Sequence, residues 1–375
     1  MGAENPYEAV CIAANMRPRR HIMDAYAAAA GLEAGAELRC SGSKLAEGRM
    51  LDVDMTLLSE ALLQTHPFAL LDLSYNEIAS GSASALKDLM LGDNRLLSVD
   101  LTCNELDAKA CVLICKGLKE NRTLRELRLS GNKLGGMGGM AIAELLQAND
   151  TLQRLYLANC DLDTGSLVAI ATVVAQHASI AVLDVQRSLT SSLHEEHVEH
   201  FGRMLAANTT LKELDLSKCG VTDRGMYMLA AALRKAGTSS ALRTLRLRAN
   251  MVRLADEAVV DVLGLLLASP DCTLQALDLT GNDLRDDGAL VLAEMLQANA
   301  SLTSLHLGSN SINSRGLCAL AHAVAIHPSL QSLSLWGNRF DSSACLAWLP
   351  VLGAGKLELD FTAQEVDGIY MPVRR

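Results

Sequence analysis

Three closely spaced histidines form the most metal-like arrangement of side chains in this sequence. His194, His197 and His200 lie within HEEHVEH, and neutral imidazole is a common ligand of zinc. The spacing is not that of HExxH, and along a helix the third histidine turns partly away from the first. A charged helix start facing water explains the same residues better, so we expect neither a metal nor a cofactor.

No recognisable nucleophile motif occurs in the sequence. Serine, histidine and aspartate are found throughout, but none stands in a context such as GxSxG, so we predict no catalytic residue. Arg224, Arg285 and Arg315 fall in the loops of a repeated pattern described next. An arginine presented from such a loop can stabilise a transferred phosphate during GTP hydrolysis. Loop arginines are usually solvated, so a GTPase activator is an alternative interpretation.

A repeated motif, LxxLxLxxN/C, places these scattered residues in a common frame. Its last position recurs every 28 residues from Asn76 to Ser188 and again from Asn282 to Asn338, with intervals of 31 to 33 residues elsewhere. A fixed period of this length is the signature of stacked repeats. Full matches include LRELRLSGN at 124–132, LQALDLTGN at 274–282 and LQSLSLWGN at 330–338.

Each repeat should fold as one short strand followed by one helix. The leucines of LxL alternate with polar residues, so the strand buries one face, and the Asn or Cys can satisfy backbone groups in the following turn. After Asn282, the residues Ala289, Leu292, Ala293 and Leu296 have the i, i+3, i+4, i+7 spacing of an amphipathic helix. The sequence predicts an α/β solenoid of about 11 repeats, because a single repeat cannot bury its own apolar face.

One segment matches the strand motif out of register. LKDLMLGDN at 86–94 would place a second strand between Asn76 and Asn104, which leaves too few residues for a helix. We therefore predict that Leu86 and Leu89 are helical and that Asn94 follows a helix.

The motif also identifies a row of side chains on the sheet. We call the residue between the two leucines of LxL, together with the residue two places later, the strand ladder, because neighbouring strands lie about 4.8 Å apart. Trp, Tyr and Arg dominate the energetics of protein interfaces, so we predict partner contacts where the ladder carries them and at adjacent polar positions. An ordinary solvated face is the alternative. The predicted partner-binding residues are Trp336, His306, Tyr156, Arg128, Arg246, Arg248, Asp215 and Asp278.

The composition narrows the class of partner. The 33 basic and 43 acidic residues give a net charge of -10, which argues against binding to nucleic acid. No apolar run approaches the length of a membrane helix, and the start of the chain does not read as a secretory signal. The 10 cysteines contain no CxxC pair, and Cys160 and Cys219 replace the repeat's Asn, which favours buried reduced thiols and a cytoplasmic or nuclear protein.

Repeats of 28 residues with a tail N-x-L/I-x-x-x-G and a full helix resemble the ribonuclease-inhibitor class of leucine-rich repeats, over about residues 38–361. The resemblance implies a horseshoe with a parallel sheet on its concave face and helices on its convex face. The strict long–short alternation and high cysteine content of ribonuclease inhibitor are absent, so inhibition of ribonucleases is not implied. No GxxxxGK[ST] loop is present, so no nucleotide switch is implied either.

We expect three regions: a helical cap at 1–36, the solenoid at 37–340, and a C-terminal cap and tail at 341–375. Within the last region, LELDF at 357–361 is predicted to form a final strand that is followed by a short tail. The resemblance implies a non-enzymatic scaffold that binds protein partners on the concave face, without nucleic acid or membrane, and suggests a ciliary or flagellar axonemal complex. A leucine-rich-repeat GTPase activator and a ubiquitin-ligase substrate receptor are the alternatives. The tail at 362–375 offers another cover for Trp336.

Overall fold

Each repeat folds as a short strand followed by a helix, as the leucine spacing predicts. The computed structural model describes residues 5–29, 31, 35–43, 48–190 and 195–375. Two compact units divide the chain, Met1–Ser191 and Ser192–Arg375, which we call the N-terminal and C-terminal halves. The predicted boundaries at residues 36 and 340 stay predictions.

The N-terminal half begins with two helices in the predicted cap region and continues with alternating strands and helices. Its strands pair in chain order, all parallel. The elements are α1 Pro6–Ala13, α2 Arg20–Ala28, β1 Ala36–Arg39, α3 Asp52–Gln64, β2 Phe68–Asp72, α4 Ala83–Gly92, β3 Ser98–Asp100, α5 Ala108–Leu118, β4 Glu126–Arg128, α6 Gly135–Ala148, β5 Arg154–Tyr156, α7 Thr164–Val174 and β6 Val182–Asp184.

The C-terminal half repeats the pattern and ends in a hairpin. Strands β7 to β12 pair in chain order and in parallel. The elements are α8 Glu196–Ala207, β7 Glu213–Asp215, α9 Asp223–Ala236, β8 Thr244–Arg246, α10 Glu257–Leu267, β9 Ala276–Asp278, α11 Arg285–Ala298, β10 Ser304–His306, α12 Ser314–Ala325, β11 Ser332–Ser334, α13 Ser342–Ala354, β12 Glu358–Leu359, β13 Phe361–Val366 and β14 Ile369–Arg374.

The predicted register of residues 86–94 is confirmed. Leu86 and Leu89 lie in α4 and are buried, and Asn94 follows the end of that helix. The strand of this repeat is β3, ten residues further along. Periodicity decided the assignment correctly because the local motif alone fits both structures.

The motif asparagine joins each turn to the preceding repeat. The Asn104 side-chain amide donates to the carbonyl oxygens of Leu73 and Leu101, both at 2.9 to 3.0 Å, and its carbonyl accepts from the Ile78 amide at 3.2 Å. Asn132 repeats these contacts one strand along. Backbone groups in the buried turn therefore have partners, and neighbouring repeats are held in register.

The residue before this asparagine adopts a left-handed conformation in every repeat from Tyr75 to Gly337. Glycine accepts this conformation without a steric penalty, but most of the chain's residues here carry a side chain. The residues with positive φ at this position are Tyr75, Cys103, Gly131, Asn159, Arg187, Lys218, Ala249, Gly281, Ser309 and Gly337.

The expectation of a single last strand at 357–361 followed by a simple tail is wrong. β12 is only two residues long, and Phe361 starts the antiparallel β13–β14 hairpin. Asp367 and Gly368 form its turn with positive φ at both positions, and an Asp-Gly pair is the standard signal for such a turn. Phe361 is buried against Phe340 and Trp348, so the hairpin packs beside α13.

Candidate functional site

The structure places the predicted ladder residues side by side on the sheet of each half. Within each half, the residues between paired leucines occupy matching positions on adjacent strands, and two such rows result. In the N-terminal half the row is Asp72, Asp100, Arg128, Tyr156 and Asp184. In the C-terminal half it is Asp215, Arg246, Asp278, His306 and Ser334.

Aspartates in these rows serve the backbone. The carboxylate of Asp100 accepts a hydrogen bond from the Thr102 amide at 2.8 Å, and that of Asp278 accepts from the Thr280 amide at 2.9 Å. Such a bond fixes the chain where it leaves the strand. The same contact is made to the amides of Ser74, Gln186 and Ser217 by Asp72, Asp184 and Asp215.

In two repeats whose ladder position lacks aspartate, a serine of the preceding repeat supplies this acceptor. The Ser130 hydroxyl accepts from the Ala158 amide, and the Ser217 hydroxyl accepts from the Arg248 amide, both at 3.1 Å. The side chains of Tyr156 and Arg246, which occupy the aspartate position of those repeats, are thereby released from the backbone role. They can serve the surface of the protein instead.

An arginine–tyrosine cluster occupies strands β4 and β5. The Arg128 guanidinium carbon lies 4.1 Å from the centre of the Tyr156 ring, a cation–π geometry. Arg128 and Arg154 both form ion pairs with Glu126, at 2.5 Å. Burial alone would raise the pKa of Glu126, but the two guanidinium groups outweigh it and hold that pKa below its ordinary value.

Glu126 and Arg154 were missed by the sequence analysis. They stand one place before the first leucine of LxL, two residues from the ladder position, and therefore share its face of the strand. That alternation was the available signal. Two guanidinium groups on one carboxylate, beside an aromatic ring, can contact an acidic or aromatic group of a partner.

Two predicted contact residues of the C-terminal half differ in their exposure. Asp215 is only 8% exposed, so the prediction that its side chain faces solvent is wrong. Burial raises its pKa even though Ser217 donates to the carboxylate. Asp278 is partly exposed, with the Arg248 guanidinium 3.6 Å from its carboxylate.

Arg246 and Arg248 lie where the sequence predicts. The Arg246 guanidinium bonds to the Glu213 carboxylate at 3.0 Å, and Arg248 is exposed. Both charges are available to a partner, because ion pairs between partly exposed groups are weak and exchange readily.

A polar chain surrounds His306 on strands β10 and β11. His306 Nε2 lies 3.0 Å from the Ser304 hydroxyl and Nδ1 lies 3.2 Å from the Ser334 hydroxyl, while Ser304 and Ser332 are 2.7 Å apart. The chain borders a cleft of about 560 Å³ that also includes Glu358, Leu359, Asp360 and Arg375.

Trp336 lies beside this cleft and is partly exposed. Its backbone amide donates to the Asp360 carboxylate at 3.0 Å. The tail supplies Asp360 and Arg375 at this end of the sheet, while the β13–β14 hairpin packs on α13. The alternative prediction, that the tail covers Trp336, is met at most in part, because Trp336 stays partly exposed.

The histidine-rich segment has a structural role in the part that is described. His197 is buried, and its Nε2 lies 2.9 Å from the Cys219 carbonyl oxygen. Burial lowers the pKa of His197. His194 lies outside the described residues, and among those that are described no group of three potential metal ligands is found. The water-facing interpretation is therefore wrong for His197.

The cysteines at motif positions lie in the buried turns as predicted. The Cys160 thiol is 3.1 Å from the Leu129 carbonyl oxygen, in the place of an asparagine amide, and Cys219 is also buried. Burial raises the pKa of Cys160 to about 12, which keeps the thiol protonated and unreactive.

A second asparagine position, before strands β4 and β5, was also missed. Asn121 and Asn149 accept from backbone amides two and three residues on and donate to carbonyls of the preceding repeat. The recurrence of N-x-T-L at 121–124 and 149–152 was the available signal. These residues organise the fold and do not form a site.

No helix in the described ranges is long and apolar enough to cross a membrane.

A comparison with protein families supports the repeat. A sequence profile described as leucine-rich repeat matches residues 120–143, 207–230, 271–293 and 298–321. A solved structure, leiomodin-1 actin-binding site 2, has a TM-score of 0.35 and 17% identity, covering 40% of this chain and 86% of that one.

Two mouse proteins match part of the chain. Leucine-rich repeat-containing protein 34 of Mus musculus is 32% identical over 170 residues, which cover 39% of this chain and 40% of that protein. NACHT, LRR and PYD domains-containing protein 14 of Mus musculus is 31% identical over 146 residues, covering 39% of this chain and 14% of that protein. Less than half the length of either relative is therefore matched. The motif, the strand–helix repeats and these matches show that this chain contains leucine-rich repeats and that it is similar, over part of its length, to leucine-rich repeat-containing protein 34.

Proposed function

We propose that this chain is a non-enzymatic scaffold that binds protein partners through the sheet faces of its repeats. One observation carries the proposal: ladder positions that are released from the backbone role carry residue types suited to interfaces. Arg128 and Tyr156 are adjacent on β4 and β5, and His306 and Ser334 are adjacent on β10 and β11 beside Trp336. Arginine and large aromatic residues anchor many protein interfaces.

The test is cross-linking of the tagged full-length chain in cells, followed by quantitative mass spectrometry. Trp336→Ala and Arg128→Ala should each lose a subset of partners, with about thirtyfold weaker binding for a residue that anchors an interface. The matched control is Arg315→Ala, because Arg315 lies on α12 with a well-exposed side chain. Retention of every partner by both ladder variants, with normal melting temperatures, would contradict the proposal.

GTPase activation remains the alternative for which an experiment is direct. Arg285 Nε and Nη2, on one edge of the guanidinium, donate to the two oxygens of the Asp283 carboxylate at 2.9 and 2.8 Å, so Arg285 would have to leave this contact to present that edge to a phosphate. We expect no acceleration of GTP hydrolysis by the purified chain. A large acceleration that disappears in Arg224→Ala, Arg285→Ala or Arg315→Ala would reverse this expectation.

The setting is a finer part of the proposal. We propose a ciliary or flagellar axonemal assembly on the resemblance of the repeats alone. A fluorescently tagged chain expressed in ciliated cells tests this, and its exclusion from the axoneme would contradict it. A ubiquitin-ligase substrate receptor is the remaining alternative, and it would co-purify with a ligase adaptor.

A further inference from the structure

The cleft beside His306 combines hydroxyl and carboxylate groups at one end of a sheet, and the partly exposed Trp336 neighbours it. Ser332 and Ser334 line one part of it, and Glu358 and Asp360 line another. Trp336 stands two residues after Ser334, with its backbone bound to Asp360. A planar cation that donates several hydrogen bonds and stacks on an aromatic ring is complementary to this set of groups.

The acidic groups of the cleft are arranged differently from those of the neighbouring strands. On β7 to β9, Glu213 and Asp278 each lie within ion-pair distance of an arginine of the same sheet, Arg246 or Arg248. Glu358 is exposed on β12. Asp360 accepts from the amides of Leu335 and Trp336, which fixes its carboxylate in place. The negative charge at this end is therefore positioned and accessible.

The chain brings one of its own arginines to the same cleft. Arg375 lines it, and its backbone amide donates to the Asp360 carbonyl oxygen at 3.0 Å. Arg375 is exposed and makes no ion pair among the described residues, so its side chain can move at little cost.

We propose that this cleft binds an arginine side chain of a protein partner, and that Arg375 competes with it from within the chain. The inference rests on the proposed function and adds the chemistry of the partner: a basic segment that lies along β10 to β12. Arginine is preferred to lysine because its planar group can bond to carboxylates and hydroxyls while it stacks on the indole of Trp336.

The experiment uses the full chain and three capped pentapeptides, Gly-Ser-Arg-Ser-Gly and its Lys and Glu counterparts. Trp348 is fully buried, so protection of Trp336 from acrylamide quenching reports on the cleft. The arginine peptide should protect Trp336 with a dissociation constant of about 1 mM, as expected for one anchoring side chain. The lysine peptide should bind more weakly, and the glutamate peptide should not protect.

Three variants make the test specific. Glu358→Gln should weaken the arginine peptide about fivefold, the effect of one partly exposed ion pair, and Arg375→Ala should strengthen it about threefold by removing the competitor. Glu294→Gln, on the exposed side of α11, removes the same charge elsewhere and should have no effect. Melting temperatures of all three should match the parent chain.

Each contrary outcome overturns the inference. Equal protection by the arginine and glutamate peptides would show that charge does not select the ligand. If Glu358→Gln and Glu294→Gln affect peptide binding equally, the Glu358 carboxylate does not contribute to the site. If the arginine peptide fails to bind even to Arg375→Ala, the cleft does not bind arginine. If cellular partners still depend on Trp336 under any of these outcomes, the scaffold proposal stands and only the partner chemistry is wrong.

Discussion

Strands β2 and β3 differ from strands β4 and β5 in the use of one position, although their backbones pair in the same register. Asp72 and Asp100 turn their carboxylates to the amides two residues on. Arg128 and Tyr156 stack on each other, and in the repeat of Tyr156 the Ser130 hydroxyl accepts from the amide two residues on. The comparison teaches that an exposed ladder residue does not by itself indicate binding, and that aspartate at this position indicates a structural role.

The C-terminal half shows the same division. Asp215 and Asp278 hold the turns after β7 and β9, whereas His306 and Ser334 belong to a hydroxyl and imidazole chain beside the cleft. Two of the residues predicted to bind partners, Asp215 and Asp278, therefore have a sufficient structural explanation. The other residues predicted to bind partners do not make this contact.

The largest effect on stability should come from the asparagine turns, which both strand pairs share. Asn104→Ala after β3 and Asn132→Ala after β4 each leave three buried backbone contacts unmade. Each should lower the free energy of unfolding by about 3 kcal/mol, measured by urea denaturation. Glu105→Ala, at an exposed neighbouring position, is the control. A clear difference in stability between the two asparagine variants would mean that the turns after β3 and β4 are not equivalent.

The next effect separates binding from stability. Arg128→Ala should weaken a partner that docks on β4 and β5 by about 2 kcal/mol, because a guanidinium stacked on Tyr156 is lost. Its stability should change by less than about 1 kcal/mol, since the side chain is 39% exposed. Titration calorimetry with the partner and thermal unfolding give the two quantities. A loss of stability with intact binding would show that Arg128 supports the fold and does not contact the partner.

The converse substitution is Asp100→Ala. It should lower the free energy of unfolding by about 1 kcal/mol, because the Thr102 amide loses its acceptor, and should leave partner binding unchanged. Asp100→Asn keeps an acceptor oxygen and should restore most of the stability. Weaker binding by Asp100→Ala without a change in stability would contradict the division between strands whose ladder residue holds the turn and strands whose ladder residue contacts a partner.

A smaller effect on stability should appear at the left-handed residue before the last position of the motif, which strands of both kinds share. Ser309→Gly should raise stability by about 0.7 kcal/mol and Gly281→Ala should lower it by about as much, because φ is 55° and 70° at these positions. A methyl group at Gly281 meets only ordinary contacts with Ala249, so conformation alone decides the sign. Denaturation midpoints that move in the same direction for both would contradict this account.

The smallest expected effect is on the pH dependence of stability, and it involves His197 on helix α8. His197 is buried with a pKa below its ordinary 6.5, so the unfolded chain takes up a proton before the folded chain does. This contribution to stability is complete above pH 6.5 and is lost as the pH falls from 6.5 to the lowered value. His197→Gln should reduce the loss of stability between pH 7.5 and pH 5.5, and His200→Gln, at a partly exposed position, should not.

The repeating part of the fold could be predicted because neighbouring repeats constrain one another. Residues 86–94 fit two structures locally, and only the 28-residue interval between Asn76 and Asn104 decides between them. The motif also predicts which face a ladder residue occupies. It does not predict depth, because burial depends on the side chains of adjacent strands, and so Asp215 was wrongly expected to face solvent.

The non-repeating part could not be predicted in the same way. The tail has no second copy with which to compare its pattern. LELDF at 357–361 alone fits one strand, although β12 ends at Leu359 and Phe361 begins the hairpin. Asp367 and Gly368 carried the local signal for the hairpin. Whether the ladder binds a partner is not encoded in the period at all, since a solvated face has the same alternation.

The asparagine turns have a consequence for how the molecule responds to mechanical force. Asn132 bonds to both its own turn and the preceding one, whereas the Cys160 thiol makes a softer contact and the Ser188 hydroxyl donates within its own turn, to Val185. Because a stack of repeats is held only by contacts between neighbours, its resistance to extension is set at the weakest junction. We expect a chain pulled from its ends to tear first between Cys160 and Ser188. Optical-tweezer traces should show the lowest-force step shift upward in Ser188→Asn, and a first rupture elsewhere would refute this expectation.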